Sequence, residues 1–299
     1  MTMQMKNFPF VSVVVPVYNG EKDISLCLEF LLSLNYPKNK FEIIVVDNNS
    51  TDRTTEIVRQ FPVKLLEEKQ IQSSYAARNK GIREAKGELI AFTDADCIVD
   101  KNWLRELVER GFGNNLEKET GGCGGKILSY KPQTIVEKYY ENRKLYSQKN
   151  QILGKYDSFP SLITCNAIYR KKVFEELGLF DTSFISGGDK DFSWRVSLAG
   201  YKILYVPSAI VYHRHRGTFL KMCRQFFIYG YGTESLSIKY KGKIKERKKR
   251  AKWIRLCKLV NGFWRAIFKK GKEEKYFSFF DIVCATAFYL GRIRRKFCE

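Results

Sequence analysis

The chain has 299 residues, is 44% hydrophobic and 28% charged, and carries a net charge of +21. That composition excludes a disordered polymer, and the length supports one sizeable core with an additional module. The charge is uneven: Lys239 to Lys272 holds fifteen Lys/Arg against Glu246 alone, a net +14.

Phe10 to Val17 is a continuous β-branched run, as expected of a strand buried on both faces of a parallel sheet. Pro16 ends it, Tyr18-Asn19-Gly20 turns, and Glu21 to Leu34 has helical apolar spacing. Glu42 to Val46 predicts a second strand, ending in Asp47. The cap-rich turn Asn48 to Asp52 then opens a helix through Ile57 and Val58. Val63 to Leu66 predicts a third strand, Ser73 to Ala85 a helix, and Leu89 to Thr93 a fourth strand, ending in Asp94-Ala95-Asp96. This alternation is the grammar of an α/β fold with a parallel sheet, whose ligands bind at the carboxyl ends of the strands.

Further on, Trp103 to Gly111 predicts a helix and Gly121 to Gly125 a flexible passage into a strand over Lys126 to Tyr130. Residues 134 to 150 read as helical and polar. Cys165 to Tyr169 predicts a strand, Lys171 to Leu177 a helix, and Phe192 to Ala199 a helix after Gly187-Gly188-Asp189-Lys190-Asp191. Two short strands, Ile203 to Val206 and Ala209 to Tyr212, end at His213-Arg214-His215-Arg216. The domain boundary is expected close after Gly217: residues 1–217 form the α/β domain and 218–299 a basic, amphipathic helical extension.

Eight cysteines are scattered without a CxxC pair. That spacing argues against zinc and a disulfide framework, and for reduced thiols in a cytosolic compartment. Met1 to Pro9 lacks the apolar segment of a signal peptide.

Paired carboxylates with one residue between them suit a hard cation such as Mg²⁺ or Mn²⁺, which binds oxygen ligands and substrate phosphates. Asp94 and Asp96 have that spacing; a solvated loop is the bland alternative. Asp47 suits a base N–H or a ribose hydroxyl, or else caps the next helix. Tyr18 covers a base or packs at the domain rim. Asp189 and Asp191 precede a helix whose amides favour negative charge; one of them is a general base, or they cap the helix with Arg195 as an ion-pair partner. His213 completes a metal shell or is a surface histidine among arginines, and Arg214 and Arg216 favour phosphate.

In the tail, Trp253, Leu256, Cys257, Val260, Phe263, Trp264, Ile267 and Phe268 share one face of a helix over Lys252 to Lys272, opposite Lys and Arg. That pattern belongs to a helix lying in a membrane interface and drawn to anionic lipids; packing on the α/β domain is the alternative. No recognition motif accompanies the basic run, so no nucleic-acid partner is expected. Phe277 to Leu290 is a second apolar run, but it contains Asp281 and is shorter than the ~20 residues of a spanning helix.

The segments VSVVVPVYNGE, EIIVVDNNSTD, AARNKGIREAKGELIAFTDAD, NAIYRKKVFEELGLFD, GGDKDFSWRVSLAGY and VYHRHRG, in this order, resemble glycosyltransferase family 2 over roughly residues 10 to 217. The resemblance implies a GT-A fold, with a Rossmann-like, mostly parallel central sheet flanked by helices. It implies inverting transfer from a nucleotide-sugar; the paired carboxylates add Mn²⁺ or Mg²⁺, and the membrane-associating tail fits a glycan or lipid-linked acceptor. Carried over, Pro16, Val17 and Tyr18 line the base pocket with Glu21 nearby, and Asp47 contacts base or ribose. Arg78 and Asn79 lie near the nucleotide. Asp94 faces the ribose with Ala95 beside it, and Asp96 and His213 hold the metal. Asp189 matches the general base, with Asp191 as the second carboxylate. Asn166 and Trp194 are looser candidates on the acceptor side. One departure stands out: the family usually has Glu where this chain has Gly188. The expected enzyme works at the cytoplasmic face of a membrane. The alternatives are a nucleotidyltransferase or a non-catalytic membrane-associated scaffold.

Overall fold

The computed structural model describes residues 8–113, 119–154, 159–243 and 271–297. Two compact units emerge, the first drawn from Met1–Tyr130, Tyr146–Ser183 and Gly188–Arg214, the second from Lys131–Leu145, Phe184–Gly187 and His215–Glu299.

The first unit is built on an eight-stranded mixed sheet. One half is parallel: β1 (Val11–Val17) lies between β2 (Phe41–Asp47) and β4 (Leu89–Phe92), with β3 (Lys64–Glu67) outside β2. Every residue of β1 is buried, which is why the strand is an unbroken apolar run rather than an alternating one. Helices α1 (Ile24–Leu32), α2 (Thr54–Val58) and α3 (Ser74–Glu84) connect these strands. The chain winds outward from β1 through β2 to β3, then returns to β4 on the other side of β1. Such a reversal of strand order opens a crevice at the strands' carboxyl ends.

The other half contains antiparallel partners. β7 (Ala167–Arg170) pairs with β4, and β6 (Thr120–Ser129) with β7. β8 (Lys202–His213) runs parallel to β6, and the three-residue β5 (Cys97–Val99) closes the edge against β8. On one face the core joins β1 and β2 to α1 and to α4 (Trp103–Phe112). On the other, Phe92, Tyr169, Phe174, Phe180 and Phe192 interlock, with Phe174 and Phe192 stacked at 4.3 Å. Those rings come from β4, β7, α7 (Lys171–Leu177), α8 (Gly188–Leu198) and, for Phe180, the segment between these two helices.

Four expected elements differ. The glycine passage is itself strand, buried within β6, because its neighbours leave room only for hydrogen. A Cβ at Gly122 would lie 2.5 Å from the Tyr169 ring, and one at Gly125 would lie 1.9 Å from the Ala209 carbonyl oxygen. The two strands expected over 203–212 are one, β8, with a register shift opposite Gly125 and Lys126. Pro207, which has no N–H to pair, sits in that irregularity. The helix expected over 134–150 is two, α5 (Ile135–Arg143) and α6 (Gln148–Ile152), separated where Lys144 adopts φ +47°. The acidic site is not ahead of α8 but inside its first turn.

The second unit packs α5 with α9 (Phe219–Lys239) and α10 (Lys272–Lys296). Two glycines set the α9–α10 approach: a Cβ at Gly230 would lie 1.9 Å from the Phe288 carbonyl oxygen, and one at Gly291 the same distance from that of Phe227. Asp281, the charge inside the apolar run, accepts from Arg143 Nη2 at 2.8 Å and Tyr139 Oη at 2.9 Å. Glu234 is matched by Arg292. α10 is thus longer than the run Phe277 to Leu290, and Glu273–Lys296 is long and apolar enough to cross a membrane by length and composition alone. Apart from Gly271 and Lys272, the amphipathic helix expected over Lys252–Lys272 lies outside the described residues.

Gly125→Ala tests the β6–β8 approach. Because the obstacle is backbone, the substitution should cost about 1–3 kcal/mol, read as a lower urea or thermal midpoint. An unchanged midpoint would contradict the geometry.

Candidate functional site

The loops after β1 and β2 are tied together at the crevice. Asn19 (φ +49°) donates its amide to Ser50 Oγ at 2.9 Å, and its side-chain oxygen accepts from Thr51 N at 2.8 Å. Gly20 N donates to Thr54 Oγ1, and Glu21 N to Asp52 Oδ2. Pro16 and Val17 are buried at the end of β1, while Tyr18 is 52% exposed beyond them. Asp47 ends β2 almost fully buried, and its Oδ2 accepts from Ser50 N at 3.1 Å. Its Oδ1 is buried with no hydrogen-bond partner among the described residues. A buried acceptor left unpaired costs about 1–3 kcal/mol, so this oxygen has capacity for one further hydrogen bond.

Asp94 and Asp96 follow β4 as a tight turn, with Cys97 N donating to the Asp94 carbonyl oxygen at 3.0 Å. Ala95 lies between them and packs against the core. β5 then pairs with β8 so that Cys97 stands opposite His213. That pairing brings His213, more than a hundred residues away in sequence, to Asp96: its Nε2 is 3.6 Å from Asp96 Oδ1. Donor atoms of Asp94, Asp96 and His213 all lie within 4.8 Å of one another. Tyr146 stacks on the His213 ring at 4.9 Å. Two carboxylates and an imidazole, half-buried at a strand end, form a donor set that suits Mn²⁺ or Mg²⁺. Arg214 is held by an ion pair to Asp23 and lies over the Tyr130 ring. Arg216 is exposed and belongs to the second unit.

Arg78, on α3, is 4% exposed and donates from Nη2 to Asp94 Oδ1 at 2.5 Å. Burial works against its charge, but Asp94, Tyr75 and Asp189 more than offset that, so its pKa lies above the ordinary arginine value. The guanidinium is 5.8 Å from the centre of the Tyr75 ring.

α8 supplies the remaining carboxylates, and the structure separates them. Asp189 is half-buried, and burial raises its pKa above the ordinary aspartate value although Lys190 and Arg78 pull it back. Its Oδ1 accepts from Lys190 N at 2.9 Å. Asp191 is fully buried and accepts from Arg195 Nε at 3.1 Å. Arg195 in turn donates to the carbonyl oxygens of Leu177 and Leu179, so Asp191 fastens α8 to the end of α7. It is not presented beside Asp189.

Three other expected site residues are also committed to structure. Asn79 makes a two-way hydrogen bond with the Phe180 backbone, at 2.8 and 3.0 Å. Asn166 is wholly buried; its amide donates to the Lys126 and Ala209 carbonyl oxygens, and its Oδ1 accepts from Trp103 Nε1. That places it in the sheet core, with no surface for an acceptor. Trp194 is buried against Phe159.

Tyr75 escaped the sequence reading. Ser73 caps α3 and accepts from Tyr75 N, fixing Tyr75 in the first turn. Its hydroxyl accepts from Gly188 N at 3.0 Å. A Cβ at residue 188 would lie 2.9 to 3.1 Å from three atoms of the Tyr75 ring tip. Gly188 therefore stands where the resemblance leads one to expect Glu because Tyr75 fills the space. No local signal marks a tyrosine 113 residues upstream.

The family model described as "Glycosyl transferase family 2" matches residues 12–178 of this chain. Glycosyltransferase AglE of Haloferax volcanii is 36% identical over 215 residues, 70% of this chain and 68% of that protein. A Methanococcus voltae protein named dolichyl N-acetyl-alpha-D-glucosaminyl phosphate 3-beta-D-2,3-diacetamido-2,3-dideoxy-beta-D-glucuronosyltransferase is 26% identical, covering 74% of this chain and 72% of that one. Among solved structures, the mannosyltransferase PcManGT from Pyrobaculum calidifontis, in complex with GDP-Man and Mn²⁺, superposes with a TM-score of 0.70. That match covers 98% of this chain and 89% of the other at 19% identity, a likeness of fold.

The Tyr75–Gly188 contact predicts a non-additive pair. Gly188→Ala alone should lose about 1–3 kcal/mol of stability. In a Tyr75→Leu background the same change should cost measurably less, by at least about 0.5 kcal/mol. Additive losses in urea unfolding would show that the ring does not hold the site.

Proposed function

This chain belongs to glycosyl transferase family 2, and we propose that it moves a sugar from a nucleotide-sugar to a hydroxyl of a glycan or lipid-linked acceptor. The transfer inverts the anomeric centre, depends on Mn²⁺ or Mg²⁺, and takes place at the cytoplasmic face of a membrane. The observation that carries this reading is the meeting of Asp94, Asp96 and His213 within 4.8 Å at the end of β4. The superposed mannosyltransferase is in complex with GDP-Man and Mn²⁺, which supports the cation and the donor class. The dolichyl phosphate in the name of the Methanococcus relative supports a lipid-linked acceptor.

In this reading the unpaired Asp47 Oδ1 takes a hydrogen bond from the base or ribose, and Tyr18 covers the base. Arg78 fixes Asp94 in one rotamer, so that Asp94 and Asp96 meet the donor without reorganisation. Asp94, Asp96 and His213 would hold the cation, which when bound would supply positive charge against the departing nucleoside diphosphate. Burial makes Asp189 a stronger base than an exposed aspartate. It takes the proton of the acceptor hydroxyl, whose oxygen bonds to the anomeric carbon as the bond to the diphosphate breaks on the opposite side.

Asp189→Asn should lower transfer by about 10²–10⁴-fold with donor binding intact. Asp96→Ala should lose metal-dependent binding across a panel of UDP-, GDP- and dTDP-sugars. The base works only when deprotonated, and its pKa is raised. The acidic limb of kcat/KM should therefore lie above the ordinary carboxylate range, and Lys190→Met should move it higher. Full activity in Asp189→Asn, or metal-independent binding in wild type, would sink the assignment.

The membrane part of the proposal rests on α10. Tyr276, Phe279, Leu290, Ile293 and Phe297 are 45% to 81% exposed, and they fall on one helical stripe with Arg294 and Lys296 exposed beside its end. Apolar and basic side chains together suit an anionic lipid surface. The protein should float with anionic vesicles, and Phe279→Glu with Ile293→Glu should release it. Flotation that is absent in wild type, or unaffected by the double change, would rule this surface out.

A further inference from the structure

Beside the Asp94–Asp96–His213 cluster lies a second donor set. The thiols of Cys97 and Cys165 and the imidazole of His213 also place one ligand atom each within 4.8 Å of the others. The three come from different parts of the fold. Cys97 opens β5 and faces His213 across the β5–β8 pairing. Cys165 lies in the short helical turn Thr164–Asn166 before β7, and its carbonyl oxygen accepts from Thr93 Oγ1 at the end of β4. All three side chains are buried: Cys97 is 0% exposed, Cys165 1% and His213 8%.

The two sets differ in chemistry. Carboxylates suit hard cations, whereas two sulfurs and an imidazole suit a thiophilic ion. Zinc takes sulfur at about 2.3 Å and imidazole nitrogen at about 2.0 Å in a tetrahedral shell. Neighbouring ligands then stand about 3.5–3.8 Å apart, so the present donors close by no more than about an ångström. Three protein ligands leave the fourth position to water or a neighbouring oxygen.

We propose that Cys97, Cys165 and His213 form a second metal site, selective for a thiophilic divalent cation of the Zn²⁺ class, whose occupation takes His213 from the Asp94–Asp96 site and stops transfer. The inhibitory half rests on the function proposed above; the site itself does not. On binding, each thiol yields its proton to solvent as a metal–sulfur bond forms, with no oxidant or reductant involved. The inhibitory half requires both sets to use the same imidazole nitrogen, Nε2, which lies 3.6 Å from Asp96 Oδ1, so that the two metals exclude each other.

The test uses the full-length, fully reduced protein and Cd²⁺ alone as the probe. One equivalent should produce the ultraviolet thiolate-to-cadmium charge-transfer band in wild type and in Cys223→Ala, a thiol of the second unit. Cys97→Ala and Cys165→Ala should each lose it. With Mn²⁺ present, both variants should keep basal donor turnover while tolerating at least about ten-fold more Zn²⁺ than wild type. Thermal unfolding checks that they fold. If either does not, the cadmium-113 resonance of the wild type decides, since its shift reports the number of bound sulfurs. Two sulfurs support the site, and an oxygen-only shift overturns it. A wild type without the band at one equivalent, or a band that survives both substitutions, also overturns it. A band without Zn²⁺ inhibition removes the shared-histidine mechanism. None of the cadmium readouts requires sugar transfer, so they stand or fall apart from the enzymatic assignment.

Discussion

The site depends on the burial of one guanidinium. Arg78 sits 4% exposed beneath the crevice, bonded to Asp94 and close enough to Asp189 to act on its charge. An isolated charge at that depth costs several kcal/mol and is tolerable only with partners. Asp94 meets that demand, and the demand fixes Asp94. The same cation is bonded to the carboxylate after β4 and lowers the pKa of the carboxyl in the first turn of α8. Tyr75, under the guanidinium and against Gly188, holds the two elements at that separation.

This arrangement explains how two aspartates two residues apart come to different ends. Both lie in the first turn of α8. One helical step of about 100° per residue turns Asp191 about 200° away from Asp189, into the space claimed by Arg195. There it is stabilised by a matched charge and serves packing. Asp189 is half-buried on another face of the helix, and desolvation raises its pKa. The same residue type thus gives a strut in one position and a carboxyl of raised pKa in the other, decided by what each faces.

Close backbone approach is the second constraint. Gly125 against Ala209, and Gly230 and Gly291 across α9 and α10, each sit where a methyl group would overlap a carbonyl oxygen. In the first unit such contacts let β6 and β8 run side by side, which carries His213 to Asp96. The meeting of Asp94, Asp96 and His213 is in this sense a product of strand packing.

The strand order's parallel half was legible because local pattern carries it: buried strands demand unbroken apolar runs, and helices demand 3.6-residue spacing. The carboxylates at strand ends were legible for the same reason, since Asp47, Asp94 and Asp96 directly follow such runs. The resemblance to a family of sugar transferases was readable from the order of the segments. Tertiary structure alone decided what depends on pairing between distant residues. Nothing local says that Gly121 to Gly125 form a strand, because the groups that crowd its glycines, such as the Tyr169 ring at Gly122 and the Ala209 carbonyl oxygen at Gly125, come from distant parts of the chain. Nothing local assigns Asn166 to the core, or opposes Gly188 to Tyr75. Nor does cysteine spacing announce that Cys97 and Cys165 meet at His213, since a motif search counts along the chain. A sequence determines the periodicities that make strands and helices, because those are short-range. Which side chains then share a cavity is set by long-range register, and that exists only once the sheet has formed.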